Sequence, residues 1–226
     1  ARGRWFESSP PDGRASIPRC SFLLGESDTV NRLISLQKQP LHTLLTLNSS
    51  KCVFLVFEPN RFSSTLPLLE EDFESLYAVA ADPKIWEQHP NKDRWRKDVF
   101  RTYFEGAIQS KGAFKIVDKC TGEIVGSTRM YDYNEQDNSV LIGYTFFGTA
   151  YWGKGFNPSV KALMLDYLFG FVHRVYFHIG ANNIRSQIAI TRLGAKKIAE
   201  QEVAYFGELP RLNYVYSIEK EEWIAN

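Results

Sequence analysis

One glycine-rich loop constrains the fold of this chain more than any other segment. Residues Gly148-Thr-Ala-Tyr-Trp-Gly-Lys-Gly-Phe-Asn-Pro158 follow a strand-like segment and precede a helical pattern. Gly153 and Gly155 let the backbone turn sharply and approach a ligand closely, and Asn157 followed by Pro158 is typical of a helix start. The N–H groups of such a loop, with a helix N-terminus behind them, suit a phosphate. The sequence therefore predicts a phosphate-binding loop between a strand and a helix.

A P-loop and a glycine-rich turn without a ligand are the two other interpretations of this loop. Gly148-x-x-x-x-Gly153-Lys154 imitates the P-loop of nucleotide hydrolases, but Gly155 stands where those proteins need Ser or Thr to hold magnesium. The preceding strand is also expected among antiparallel neighbours, which disfavours a P-loop fold. A glycine-rich turn that binds nothing is the alternative that the loop alone leaves open.

Hydrophobic periodicity predicts one mixed domain over residues 61–226. Apolar side chains from Trp95 to Ile108 recur on one helix face, and alternating patterns are typical of strands. Short connections between the middle strands predict antiparallel pairing, so the expected fold class is α+β, with a mixed, mostly antiparallel sheet flanked by helices. Residues 1–60 show no clear period and are predicted to be an extension. The predicted strands are 62–69, 113–118, 123–131, 139–147, 174–179, 196–205 and 212–219, and the predicted helices are 70–81, 91–110, a segment from 158 onwards, and 183–193.

Charge, apolar runs and cysteine spacing exclude several classes of binding partner. The net charge is +1, with 27 basic and 26 acidic residues, whereas nucleic-acid binding usually needs a basic excess. No apolar run approaches the ~18–20 residues of a membrane-spanning helix, and the first residues lack the apolar core of a secretory signal. The spacing of Cys20, Cys52 and Cys120 matches no zinc site and makes a poor disulfide framework. We therefore expect reduced thiols in the cytoplasm, no metal, and neither nucleic acid nor membrane as partner.

Residues 141–194 resemble the coenzyme-A-binding core of the GNAT superfamily of N-acyltransferases. Ile142-Gly-Tyr-Thr-Phe146 is similar to its fourth strand, and Tyr151-Trp-Gly-Lys-Gly-Phe156 is similar to its glycine-rich signature loop. Asn183-Ile-Arg-Ser186, followed by Leu193-Gly-Ala195, is similar to its Asn-x-x-Ser helix. Upstream, 69–73 and 81–86 resemble the branch that includes the ribosomal-protein N-terminal acetyltransferases. The resemblance covers about residues 61–222 and implies a GNAT fold.

The resemblance also implies an acyl donor, acetyl-CoA, and no metal. The backbone of the fourth strand would pair with the pantetheine arm as an added strand does. The loop would hold the pyrophosphate, and the Asn-x-x-Ser helix would contact the arm from the other side. The residues implied in this binding are Thr145, Phe146, Phe147, Trp152, Gly153, Lys154, Gly155, Phe156, Asn157, Asn183 and Ser186.

The sequence departs from the family pattern at two positions. Ile190 stands where many members have a Tyr that faces the leaving sulfur, so Ser186 becomes the expected donor to that sulfur; a helix serine bonded to the backbone is the alternative. Leu141 stands where relatives often have a Glu, so that carboxylate is missing as a base. Candidates for the base are Tyr144, Glu135, Asp132 and His89.

The expected reaction is transfer of an acetyl group from acetyl-CoA to a primary amine, by direct attack in a ternary complex. The amine has to be neutral to attack, and the thioester oxygen needs an N–H donor, most simply a backbone amide of the fourth strand. Trp86 and His89 lie in the region that walls the acceptor site in the family, so they are expected to contact the acceptor. The acceptor is a protein N-terminus or a small amine, and a homodimer is left open. The alternative is a catalytically silent acyl-CoA-binding or interaction protein.

Overall fold

The computed structural model describes residues 63–204 and 209–225. The predicted extension, residues 1–60, lies outside the described residues, and the domain boundary at residue 61 stays a prediction. The strands are β1 (Ser63–Pro67), β2 (Ala113–Asp118), β3 (Ile124–Asn134), β4 (Ser139–Phe147), β5 (Arg174–Gly180), β6 (Lys196–Val203) and β7 (Arg211–Glu219). The α-helices are α1 (Phe73–Ala80), α2 (Lys97–Gln109), α3 (Phe156–Leu168), α4 (Ile184–Thr191) and α5 (Lys220–Ile224).

The strands form one seven-stranded sheet in the order β1-β2-β3-β4-β5-β7-β6. Every neighbouring pair is antiparallel except β4 and β5, which are parallel. This sheet with helices on both faces confirms the predicted α+β class.

The parallel pair is short, and this opens the middle of the sheet. The pairing covers only Ser139–Leu141 of β4 against Arg174–Tyr176 of β5. Beyond it, β4 continues along β3 to Phe147 and β5 continues along β7 to Gly180. The facing edges therefore part, as expected for a sheet that is splayed at a cofactor cleft.

A bulge in β4 lies beside this opening. The register with β3 shifts between Ser127 and Arg129, and Tyr144 has φ +53°, a left-handed backbone conformation. An extra residue on one strand bends it and strengthens its twist. The bulge therefore contributes to turning β4 away from β5.

Two apolar clusters hold the layers together. On one face, α3 packs Val160, Met164 and Leu165 against sheet residues that include Ile142 and Val175. On the other face, α1 and α2 pack an aromatic cluster against the sheet through Phe146 of β4. Its rings include Phe73, Phe100 and Phe104, and Phe73 meets Phe104 edge-on with centroids 5.2 Å apart. The adjacent residues Phe146 and Phe147 of β4 thus serve opposite cores.

Three predicted helix boundaries are wrong. The predicted helix 91–110 is a 3-10 turn (Lys92–Trp95) followed by α2, because Arg96 is extended; Trp95 is consequently 40% exposed rather than on the buried face. The predicted helix 70–81 also begins as a 3-10 turn, Glu70–Asp72. Helix α3 begins at Phe156 with Gly155 as its N-cap, so Asn157 and Pro158 fall inside the first turn. The short helix α5 was not predicted.

Candidate active site

The splay of β4 and β5 leads into a cleft of about 1000 Å³. Its walls come from β4, β5, the loop before α3, the first turn of α4, and residues 85–90. All predicted site residues line this cleft except Lys154, which is exposed. Of the four candidate bases, Tyr144 and His89 line the cleft, and Asp132 and Glu135 do not.

The loop between β4 and α3 presents its backbone to the cleft. Gly153 and Gly155 have φ +71° and +82°, and no atom lies within 4 Å of where a Cβ would stand on either. The first N–H groups of a helix have no acceptor inside the helix, so the start of α3 offers donors to an anion. This segment fits a pyrophosphate by its backbone conformation and its open space.

The open edge of β4 offers backbone rather than side chains. The rings of Phe146 and Phe147 are buried in the two opposite cores. The indole Nε1 of Trp152 donates to the Phe147 carbonyl at 3.0 Å. One lone pair of that carbonyl is therefore already engaged, and the second can still accept a hydrogen bond.

Helix α4 brings two predicted residues to the opposite wall. The side-chain oxygen of Asn183 caps the helix by accepting from the backbone N of Ser186 at 3.2 Å. Within the described part of the chain, the Asn183 amide nitrogen and the Ser186 hydroxyl have no hydrogen-bond partner. Both groups are available to a ligand, and the alternative of a backbone-bonded serine hydroxyl is not what the structure shows.

The wall made by residues 85–90 is aromatic and cationic. Trp86 is buried, donates to the Ala80 carbonyl at 2.7 Å, and packs 5.0 Å from the Phe146 ring. The Arg94 guanidinium lies 4.7 Å from the Tyr103 ring and donates to His89 Nε2 at 3.2 Å. Trp86 therefore shapes the wall mainly by packing.

His89 is held neutral in this wall. Burial and the neighbouring Arg94 lower the pKa of His89 well below its usual value. Because arginine only donates, Nε2 accepts from Arg94 at 3.2 Å, and the Asn91 N–H and carbonyl lie 3.0 Å and 3.1 Å from Nδ1. Both ring nitrogens therefore already have protein partners, which disfavours His89 as a base.

Tyr144, at the bulge, is held among rings and a cation. Its ring lies 3.9 Å from the Arg129 guanidinium and 5.1 Å from the Tyr131 ring. Its carbonyl accepts from the Tyr103 hydroxyl at 2.9 Å. The bulge therefore places a tyrosine that these contacts hold in the lining of the cleft.

Sequence reasoning missed the cationic residues of the cleft, among them Lys161 and Arg185. Lys161 on α3 is 3% exposed, and burial lowers its pKa to about 7. Its ammonium lies 2.6 Å from the Thr145 hydroxyl. Arg185 stacks on the Trp152 ring at 3.9 Å and forms an ion pair with Glu87 at 3.7 Å. The signal for Lys161 was its position four and seven residues before buried Leu165 and Leu168, which places a charge on an apolar helix face.

Comparison with protein families decides the assignment. Residues 66–196 match the acetyltransferase (GNAT) domain. The chain belongs to the GNAT acetyltransferase family. The suspected family and the fold that it implies are thereby confirmed, and the chain is an N-acetyltransferase by family. No curated protein matches the sequence significantly.

Solved GNAT structures share the fold at low identity. A GCN5-related N-acetyltransferase from Brucella melitensis is 18% identical with a TM-score of 0.63, over 78% of this chain and 82% of that chain. Spermidine N-acetyltransferase from Vibrio cholerae, in complex with CoA and spermine, is 16% identical with a TM-score of 0.56, over 73% and 99%. Mycobacterium smegmatis RimJ, in complex with CoA-disulfide, is 17% identical with a TM-score of 0.56, over 71% and 83%. These structures share the GNAT fold with this chain.

No described helix is long and apolar enough to cross a membrane. The part of the chain that the structure describes also holds no group of three or more His, Cys, Asp or Glu residues suited to a metal ion.

Proposed function

We propose that this GNAT protein transfers the acetyl group of acetyl-CoA to a primary amine by direct attack in a ternary complex. The observation that carries the proposal is one continuous cleft. It runs from the start of α3, along the open edge of β4, to the wall that contains Trp86 and His89. One cleft can therefore hold donor and acceptor together, which removes much of the entropic barrier to their reaction.

We assign the donor to the first half of this cleft. The backbone from Gly153 to Asn157 binds the pyrophosphate, and Lys154 adds an exposed positive charge beside it. The edge from Thr145 to Phe147 pairs with the pantetheine arm through backbone groups. Asn183 and Ser186 contact the arm from α4, and Phe156 and Trp152 support the loop from the core side. Acetyl-CoA fits this site because the positive-φ glycines leave open space and the edge of β4 that faces β5 is unpaired beyond Leu141.

We assign catalysis to groups at the bulge and on α4. A backbone amide of β4 stabilises the negative charge on the thioester oxygen. The Ser186 hydroxyl donates a hydrogen bond toward the leaving sulfur, because no described protein group holds it. Tyr144 lies at the acceptor side of the bulge and is the candidate to accept the proton of the amine.

The charges that line the cleft affect which class of amine it favours as acceptor. The charged side chains in its lining are three arginines, Arg94, Arg185 and Arg192, the partly charged Lys161, and one carboxylate, Glu87, which Arg185 pairs. A polyamine needs carboxylates to offset its several charges. The described lining therefore favours an acceptor with a single amine, such as a protein N-terminus or a small amine, over spermidine.

The test has two stages. Calorimetric titration with acetyl-CoA is expected to show micromolar binding, and thiol release is then measured with an N-terminal peptide, a small monoamine and spermidine. Turnover with a monoamine or peptide supports the proposal. If acetyl-CoA binds but no amine causes thiol release, the protein is a silent acyl-CoA-binding protein. This alternative is considered because Leu141 and Ile190 replace the Glu and the Tyr that relatives often have at these positions. Absence of binding at millimolar acetyl-CoA contradicts the site assignment. A cytoplasmic location, a homodimer and the absence of nucleic-acid or membrane partners stay predictions.

A further inference from the structure

A buried lysine lies at the base of the cleft without a carboxylate. Lys161 lines the cleft from α3, and its Nζ contacts two threonines of the sheet, Thr145 of β4 at 2.6 Å and Thr128 of β3 at 3.3 Å. Among the described residues, no ion pair reaches this nitrogen. Buried lysines are rare unless they are paired, so this one needs a reason.

The two threonines leave one position of the nitrogen unused. The Thr145 hydroxyl donates to the Gly143 carbonyl at 3.3 Å, and its oxygen accepts from Lys161. The Thr128 hydroxyl oxygen accepts from Lys161 as well. Since both threonines accept, Lys161 donates twice, and its fourth tetrahedral position holds either a lone pair or one more N–H. No described protein atom satisfies that position.

The location of Thr145 on β4 determines which part of a bound acetyl-CoA lies next to the Lys161 nitrogen. The phosphate loop follows directly after Phe147, so a pantetheine arm that pairs with β4 runs from Phe147 back toward Thr145. Its thioester end then lies at the bulge, next to Tyr144. Lys161 approaches this end from the α3 face through Thr145, whereas Trp86 and His89 wall the opposite face through Phe146. Lys161 is therefore on the donor side of the reacting thioester.

We propose that Lys161 is the catalytic residue that protonates the thiolate of CoA as it leaves. The proposal rests on the proposed acetyl transfer. The acceptor nitrogen bonds to the acetyl carbon, the carbon–sulfur bond breaks, and its electron pair goes to sulfur. The Lys161 ammonium gives one proton to that sulfur. Tyr144 accepts the proton of the acceptor nitrogen while releasing its own phenol proton to solvent, and Lys161 is recharged from solvent. Ser186 donates a hydrogen bond to the sulfur. A serine hydroxyl is too weak an acid to protonate the thiolate near neutral pH unless a second acid supplies its proton again.

The environment of Lys161 suits this role. Burial is the cause that lowers its pKa to about 7, so both protonation states are populated at neutral pH. None of the ionisable side chains on the elements around it forms a hydrogen bond or ion pair with Nζ. On β3, β4 and α3 these side chains are Arg129, Tyr131, Asp132, Tyr133, Tyr144, Asp166 and Tyr167.

Two substitutions separate proton donation from packing. Lys161→Met fills a similar volume without a proton, and Lys161→Gln keeps N–H donors for the threonines but has no acidic proton. We expect kcat to fall by about 10²–10⁴-fold in both, the range of general acid catalysis, with acetyl-CoA affinity retained. Lys97→Met, at an exposed lysine of α2, is the matched control and is expected to keep kcat.

A second readout needs no turnover. The ultraviolet absorbance of the thiolate gives the pKa of the thiol in bound CoA. A lysine cation at the sulfur lowers that pKa below its value in free CoA, and either substitution is expected to restore it. If the wild-type protein binds CoA but acetylates no amine, the proposed function fails while this titration still tests the contact.

Three results would overturn the proposal. They are normal kcat in Lys161→Gln, a bound thiol pKa that the substitutions do not change, and an acetyl group found on Lys161 by mass spectrometry. If neither variant folds, the wild-type pH profile decides. A required ammonium makes kcat decline as the pH rises through about 7, and a profile without that decline contradicts the role.

Discussion

The guanidinium carbon of Arg185 lies 3.9 Å from the centroid of the Trp152 ring. This contact joins the first turn of α4 to the loop before α3, across the mouth of the cleft. Arg185 also donates its backbone N–H to Gln88 and pairs with Glu87, so one residue connects the proposed phosphate site with the proposed acceptor wall. Trp152 in turn holds the Phe147 carbonyl.

Arg185→Ala is expected to weaken acetyl-CoA binding by about tenfold. A cation–π contact contributes about 0.5–2 kcal/mol, and about 1.4 kcal/mol corresponds to a factor of ten. Arg101→Ala is the matched control, because Arg101 stacks on Phe73 at 4.3 Å outside the cleft. Calorimetry should show weaker binding in the Arg185 variant alone, and equal affinities in both variants would contradict a role for this contact.

Gly155→Val tests the phosphate loop. A valine at φ +82° is expected to cost about 1–3 kcal/mol in backbone strain and to close the open space beside the loop. Gly122→Val has the same strain at φ +74° in the turn between β2 and β3, away from the cleft. Both variants should lose similar stability in thermal unfolding, whereas only Gly155→Val should lose acetyl-CoA binding. Normal binding by Gly155→Val would refute the assignment of the loop.

The sequence predicted the elements whose signal is local. Strand β4 and strand β2 have the predicted bounds, because their alternation is interrupted by turn residues at each end. The helix predicted over 91–110 failed at Arg96, since periodicity continues across a single extended residue, which bonds to Asp93 and Asp98 hold. The predicted phosphate loop lies at a helix start, but the N-cap is Gly155 rather than Asn157.

The parts of the site that sequence reasoning missed depend on contacts between distant segments. Lys161 meets Thr128 and Thr145, which lie on two different strands. Arg185 meets Trp152 and Glu87 only after the sheet has formed. Neither residue type indicates a partner by itself, because a lysine or arginine on a helix is usually solvated. The predicted cofactor-binding residues of the loop and of helix α4 were found because they belong to sequence motifs of the family.

Gly180→Ala tests whether residues 85–90 form the acceptor wall. A Cβ at Gly180 would stand 2.4 Å from Cγ of Pro90, so the end of β5 and the wall have to move apart. We expect the KM for the acceptor amine to rise several-fold while acetyl-CoA affinity is retained, because the donor half of the cleft lies on β4. Pro90→Ala removes the obstructing atom, and the double variant should recover the acceptor KM. A loss of acetyl-CoA affinity instead would place this contact in the donor site.

The stability of the protein should depend on pH through Lys161. Its pKa is about 7 in the folded protein against an ordinary value of 10.5, so between these values the unfolded chain carries a proton that the folded protein lacks. Unfolding therefore takes up a proton, and the free energy of unfolding should rise with pH by about 1.4 kcal/mol per pH unit from this residue. Urea unfolding at pH 7, 8 and 9 measures this slope. The pKa of Tyr167 is raised to about 12, so its titration affects stability only above this pH range. Lys161→Met should lose the slope and Lys97→Met should keep it. The same slope in all three proteins would show that Lys161 is an ordinary ammonium in the folded state.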